Sequence, residues 1–122
     1  MTDLFAPTLP AEHLNNPGFR MEPVIGDSMA PRLRGGYDYV MIKPIHQYVG
    51  EGTYFFSELS GAKQLYKAES ILGSKGKEIR LFYENRAYQG AIVSREWFEE
   101  NVLGIVVADI KVQDERFLRE SA

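Results

Sequence analysis

Two side chains in this 122-residue sequence have the types and surroundings that acyl-transfer chemistry requires, and the first is Ser28. It follows an apolar, strand-like stretch that stops at a turn. Gly26 accepts backbone angles that other residues avoid, and Pro31 suits the first turn of a short helix, so Ser28 is predicted at a strand-to-helix corner. There the backbone N–H groups of Ser28 and Met29 would be free to stabilise an oxyanion. The alternative is a serine that only caps the helix.

A serine nucleophile needs a base, and Lys67 is the best candidate in this sequence. The two histidines, His13 and His46, are far apart and lie in no recognisable catalytic or ligand spacing. Lys67 is the one lysine predicted in mid-strand among apolar neighbours, and Ser–Lys pairs are a known variant of the catalytic triad. An amine acts as a base only when neutral, and burial favours that form. The alternative is a strand lysine whose amine reaches water.

Other groups offer weaker possibilities. Ser60 and Lys63 have the SxxK spacing of penicillin-binding enzymes, but that chemistry needs both residues on one helix, whereas residues 60–62 are predicted to form a hairpin tip. Four glutamates provide carboxylates without a spacing that singles out a pair, and a solvated face accounts for them: Glu51, Glu58, Glu69 and Glu84.

The composition narrows the class of protein. A net charge of −3 argues against a broad nucleic-acid-binding surface, so no direct contact with nucleic acid is expected. The absence of cysteine excludes disulfides, iron–sulfur clusters and thiolate zinc sites, and we expect no metal or other cofactor. No stretch approaches the roughly 18 apolar residues of a membrane span, and the first residues lack the pattern of a signal peptide. We therefore expect a cytoplasmic protein without membrane contact.

Short apolar segments separated by glycine turns predict a mostly β fold, either a sandwich or a compact coiled barrel, with minimal helix. The predicted strands cover residues 21–25, 37–43, 53–56, 63–71, 78–83, 91–93 and 102–110. The near-continuous apolar character of 53–56 predicts burial on both faces, and 102–110 is predicted to be a buried closing strand. Ser94 is predicted to cap a brief helix over 96–100.

One domain is predicted between two flanking segments. Residues 1–20 contain three prolines, which predicts an extended arm too short to hold a helix-turn-helix unit. The domain covers residues 21–111. Residues 112–122 form a charged tail, for which a frayed helix and a contact with another copy are both open.

The surroundings of Ser28 and Lys67 together resemble the LexA-like Ser–Lys peptidases. This family includes LexA, UmuD and phage repressor C-terminal domains and is related to signal peptidases. The lysine lies 39 residues after the serine, which suits the family pattern. The matching segments are, in order, the serine motif at 24–31, its continuation at 33–35, a strand at 39–42, the lysine strand at 65–67, a loop at 84–88 and a closing strand at 103–107.

The resemblance implies a LexA/signal-peptidase-like coiled β fold of short, mainly antiparallel strands. It implies a regulatory peptidase of the SOS-response or phage-repressor type, cleaving itself or another chain. In that mechanism Ser28 attacks a peptide carbonyl, neutral Lys67 takes its proton, and the N–H groups of Ser28 and Met29 are the candidate oxyanion site. A homodimer is also implied, with a protein or peptide as substrate or regulatory partner. The alternative is a catalytically silent module for dimerisation and protein binding.

Two features depart from the family pattern. The usual Gly-Asp after the motif is replaced by Gly35-Gly36-Tyr37-Asp38. Relatives that cut themselves do so at an Ala-Gly or Cys-Gly bond upstream of the serine, and this sequence contains neither dipeptide. The expected target is therefore a bond in another chain, unless the chain is a form already processed.

Overall fold

The computed structural model describes residues 8–57 and 61–120. The strands are β1 (Arg20–Pro23), β2 (Tyr39–Pro44), β3 (Gly52–Ser57), β4 (Lys63–Ser70), β5 (Glu78–Phe82), β6 (Ala91–Ser94) and β7 (Val102–Ile110). The helices are α1 (Arg95–Asn101), α2 (Glu115–Glu120) and a 3-10 helix (Ala11–Leu14). These strands form one open sheet in the order β1-β2-β7-β3-β4-β5-β6, with every neighbouring pair antiparallel. The predicted mostly β fold of short antiparallel strands with little helix is confirmed.

Strand β3 is buried on both faces, as its sequence predicts. Successive side chains of a strand point to opposite faces, so Phe55 enters one core while Tyr54 and Phe56 enter the other. The first core also contains Val24, Met29, Leu33, Val40, Ile42 and Leu65. The second also contains Ala68, Ile79, Leu81, Phe98 and Val102. The sheet therefore needs a cover on each side.

Helix α1 covers the second core. Its predicted cap is confirmed, because the backbone N–H of Trp97 donates to Ser94 Oγ at 3.0 Å. Phe98 is fully buried, and its ring meets that of Phe56 edge-on with centroids 5.0 Å apart.

The segment between β1 and β2 covers the first core, and here the predicted helix after Ser28 is wrong. Strand β1 ends at Pro23, and residues 28–32 form successive turns rather than a helix. The loop begins and ends close together, because the N–H of Gly36 donates to the carbonyl of Val24 at 2.9 Å. A run of turns achieves this while still burying Met29 and Leu33.

Two glycines fix this turn. Gly26 has a positive φ of 74°, which confirms the conformational role expected for it. Gly35 packs against the backbone of Gly26 so closely that a Cβ on Gly35 would lie 1.9 Å from the Gly26 carbonyl oxygen. The serine turn is therefore held by a backbone contact that only glycine allows.

Asp38 closes the base of the same loop from a buried position. Its carboxylate accepts hydrogen bonds from the backbone N–H and the guanidinium of Arg34, and from the backbone N–H of Val112. The hydrogen bond from the Arg34 side chain, opposed by desolvation, holds the pKa of Asp38 well below its ordinary value. The Gly35-Gly36-Tyr37-Asp38 turn thus ends in a buried, ionised carboxylate that fixes Arg34 and Val112.

Three other expectations are corrected in detail. Part of the predicted extended arm is the 3-10 helix over Ala11–Leu14. Strand β2 includes Pro44 instead of ending before it. Strand β7 is buried only in its first half, because its pairing with β3 ends at Ile105 and β2 alone continues beside it. The predicted hairpin tip falls partly on residues outside the described ranges.

We predict that Asp38→Asn lowers the free energy of unfolding by about 2 kcal/mol, because the Arg34 guanidinium loses its charged, hydrogen-bonded partner. Urea denaturation at pH 7 measures this change. Asp114→Asn, which affects a surface carboxylate paired with Arg116, is the matched control and should leave the free energy of unfolding nearly unchanged. Equal losses in the two variants would contradict the anchoring role of Asp38.

Candidate active site

Ser28 lies over the first core, with 9% of its surface exposed. Its backbone carbonyl accepts a hydrogen bond from the N–H of Asn85 at 2.9 Å. A small cavity of about 40 Å³ opens beside it and is lined by Ile25, Phe55 and Leu65 among others. The serine therefore borders a confined apolar space.

The backbone around Ser28 leaves donors free. Among the described residues, the N–H groups of Ser28 and Met29 donate no hydrogen bond, whereas the N–H of Ala30 donates to the Asp27 carbonyl at 3.0 Å. Ser28 Oγ also makes no hydrogen bond within the described ranges. Adjacent free N–H groups beside a hydroxyl are what an oxyanion site requires, even though no helix supplies them here.

Strand β4 places Lys67 on the same face of the sheet as the serine turn. Because side chains alternate along a strand, Leu65 and Lys67 share a face and lie roughly 7 Å apart. Leu65 lines the cavity beside Ser28 and packs in the core beneath the serine turn. Lys67 is thus one step further along the strand that borders the serine.

The amine of Lys67 is not in the dry apolar pocket that its sequence neighbours suggested. About a third of the side chain is exposed, and Nζ donates to Glu84 Oε2 at 3.1 Å. In the described structure Nζ makes no hydrogen bond to Ser28 Oγ. The reason lies in the register: Phe82 stands opposite Lys67, and Glu84 follows two residues later on the same side.

Glu84 joins Lys67 to a second cation. Its Oε1 accepts a hydrogen bond from Arg32 Nε at 3.0 Å, and the same guanidinium pairs with Asp109. The hydrogen bond from Lys67, opposed by partial burial and aided by Arg32, keeps the pKa of Glu84 below its ordinary value. Glu84 is therefore an ionised bridge between β4 and the serine loop.

The loop after β5 also holds the serine turn directly. The backbone N–H of Asn85 donates to the Ser28 carbonyl, its side-chain amide donates to the Asp27 carbonyl at 3.0 Å, and the Tyr88 hydroxyl donates to the Asp27 carboxylate. Two consecutive residues thus reach both candidates: Glu84 contacts Lys67, and Asn85 contacts Ser28. The two predicted site residues are therefore linked through neighbouring residues of one loop, and no hydrogen bond joins them in the described structure.

Sequence reasoning gave Glu84 and Arg32 no role. Glu84 was one of four indistinguishable glutamates, and its importance depends on the pairing of β4 with β5. The available signal was that residues 84–88 match a loop of the resembled family.

Among the described residues, the remaining candidates do not add a catalytic pair, although Lys63 lines the cavity beside Ser28. Lys63 opens β4, so it is not on the helix that SxxK chemistry needs, and Ser60 is not among the described residues. Within those residues, no three His, Asp or Glu side chains are grouped to hold a metal ion. In the same part of the chain, no helix combines the length and apolarity needed to cross a membrane.

No model of a known protein family matches this chain, and no curated protein matches it significantly. Its function must therefore be inferred from the geometry of the site together with the sequence resemblance.

We predict that Glu84→Gln lowers the free energy of unfolding at pH 7 by about 1 kcal/mol, because it weakens two partly exposed ion pairs. A carboxylate with a lowered pKa stabilises the fold above its unfolded-state pKa, and this contribution is lost as the pH falls through its lower folded-state value. The difference between the two proteins should therefore shrink below about pH 4.5.

Urea denaturation at several pH values measures this difference. Glu99→Gln is the control, since among the described residues Glu99 pairs with Arg95 alone, on the surface of α1. A difference that stays constant down to pH 2.5 would contradict the bridging role of Glu84.

Proposed function

We propose that this chain is a serine–lysine peptidase domain of the LexA/UmuD type, acting in the cytoplasm as a regulatory protein that cleaves a peptide bond in itself or in another chain. The observation that supports this most is the contact of Glu84 with Lys67 and of adjacent Asn85 with Ser28. It keeps a hydroxyl and an amine on one face of the sheet, next to two free backbone N–H groups.

In the proposed reaction, Ser28 Oγ bonds to the carbonyl carbon while its proton passes to neutral Lys67 Nζ. The oxyanion is stabilised by the N–H groups of Ser28 and Met29. Collapse breaks the C–N bond, the lysine returns the proton to the leaving amine, and water hydrolyses the ester on Ser28. One peptide bond and one water molecule are consumed, and Ser28 and Lys67 are regenerated.

The described arrangement is a resting form in this proposal. Lys67 Nζ must leave Glu84, lose its proton and turn toward Ser28 before it can act as a base. Its partial exposure and flexible stem allow this movement.

A second candidate function is a homodimeric protein-binding module without catalysis. The ion pairs that Glu84 makes with Lys67 and Arg32 favour it, since they give the lysine a purely structural role. Helix α2 also exposes Phe117 and Leu118, which suits a contact with a partner. The two functions differ in whether Ser28 is reactive.

Labelling with a fluorophosphonate, which phosphonylates activated serines, tests the first function without a known substrate. We predict one phosphonyl group on Ser28, located by mass spectrometry. Lys67→Ala should slow labelling roughly 100-fold, because the general base is lost.

The controls are Ser70→Ala and Lys43→Ala, an exposed serine and an exposed strand lysine, which should label like the unmodified chain. Labelling that survives Ser28→Ala, or that is indifferent to Lys67→Ala, would contradict the peptidase proposal. No labelling at any pH, together with a stable dimer, would favour the binding module.

A further inference from the structure

A groove of about 530 Å³ extends from Lys67 along β5 and the loop that follows it. It borders the same residues, Lys67 and Glu84, that define the candidate active site. It shares no lining residue with the small cavity at Ser28 and has more than ten times its volume. The loop that lines it also holds the serine turn, because Asn85 donates to the Ser28 carbonyl.

The groove is positively charged although the whole chain is not. Lys67, Arg80 and Arg86 line it, against one carboxylate, Glu84, whereas the net charge of the chain is −3. The local excess of cations favours an anionic ligand.

Two of these cations already have partners. Lys67 is paired with Glu84 at 3.1 Å, and Arg80 is paired with Glu69 at 2.8 Å. The exposed Arg86 makes no hydrogen bond or ion pair with any described residue. Its guanidinium is therefore the group in the groove that is available to a ligand.

Aromatic rings form the apolar part of the groove. The Arg80 guanidinium lies 4.3 Å from the centroid of the Phe82 ring, and the rings of Tyr83 and Tyr88 lie 5.5 Å apart. Such rings pack against the aliphatic part of a side chain whose carboxylate meets an arginine.

We propose that this groove binds an acidic side chain of the peptide that Ser28 attacks, with Arg86 as its ionic partner, an inference that rests on the proposed function. Arg86 directly follows Asn85, whose N–H donates to the Ser28 carbonyl, so the acidic residue is expected close to the scissile bond in the peptide sequence.

A single carboxylate suits the site better than a nucleic acid does. One free guanidinium satisfies one carboxylate, often by two hydrogen bonds. A polyphosphate chain needs several free cations and would be repelled by the negative charge of the rest of the molecule.

The test uses the full-length Ser28→Ala protein, which binds without turnover. The probe is the fluorescein-labelled peptide Ala-Glu-Ala-Ala-Glu-Ala amide, and its matched control carries Gln in place of both Glu residues. Fluorescence anisotropy at low ionic strength should show roughly tenfold tighter binding of the Glu peptide, corresponding to about 1.4 kcal/mol.

Adding Arg86→Gln should abolish the preference for the Glu peptide. Arg20→Gln removes the same charge from an exposed position on β1 and should leave the preference intact. Equal binding of both peptides, equal losses in the two arginine variants, or tighter binding of a six-nucleotide thymidine strand would overturn the proposal.

The peptide-binding experiment tests the groove, and the phosphonylation experiment tests the peptidase, so one can fail without the other. Selective binding of the Glu peptide without phosphonylation of Ser28 in the unmodified chain would contradict the peptidase proposal and support a site for acidic peptides. Phosphonylation without selective binding would contradict only the proposal that the groove binds an acidic side chain.

Discussion

The ion pairs of Glu84 are the interaction on which the site depends. One carboxylate accepts from Lys67 on β4 and from Arg32 in the serine loop, while the next residue, Asn85, donates to the carbonyl of Ser28. Strand β4, the serine loop and the loop after β5, which are remote in the chain, are thus joined by the contacts of two residues. The carboxylate that links the lysine strand to the serine loop also holds the lysine amine, so in the proposed mechanism this contact must break before Lys67 can act.

The two-sided sheet explains why such a contact is possible. Strand β3 is buried on both faces, and the serine turn covers one of them while α1 covers the other. Residues on β4 that face the serine turn are therefore either part of its core, as Leu65 is, or border its edge, as Lys67 does. Gly26 and Gly35 let the turn lie close enough to its own backbone to remain compact.

Much of the fold follows from local pattern, and the site follows from it only in part. The positions of the strands to within two residues, the burial of the aromatic residues of β3 and the cap at Ser94 are local properties, and they were predictable. The helix expected after Ser28 is absent because closure of the loop between Val24 and Gly36 decides its shape. The partner of Lys67 was not predictable either, since it depends on which residue of β5 stands opposite. Only register, a tertiary property, distinguishes Glu84 from the other glutamates.

The most direct test of whether Lys67 acts on the side chain at position 28 uses the absence of cysteine from the sequence. Ser28→Cys introduces a single thiol, whose pKa is measured from its rate of alkylation by iodoacetamide across pH. A nearby ammonium stabilises the thiolate, so adding Lys67→Met should raise the pKa of this thiol by about one unit, whereas adding Lys43→Met should leave it unchanged. Identical pH profiles for all three proteins would show that the lysine does not act on the serine position and would contradict the proposed site.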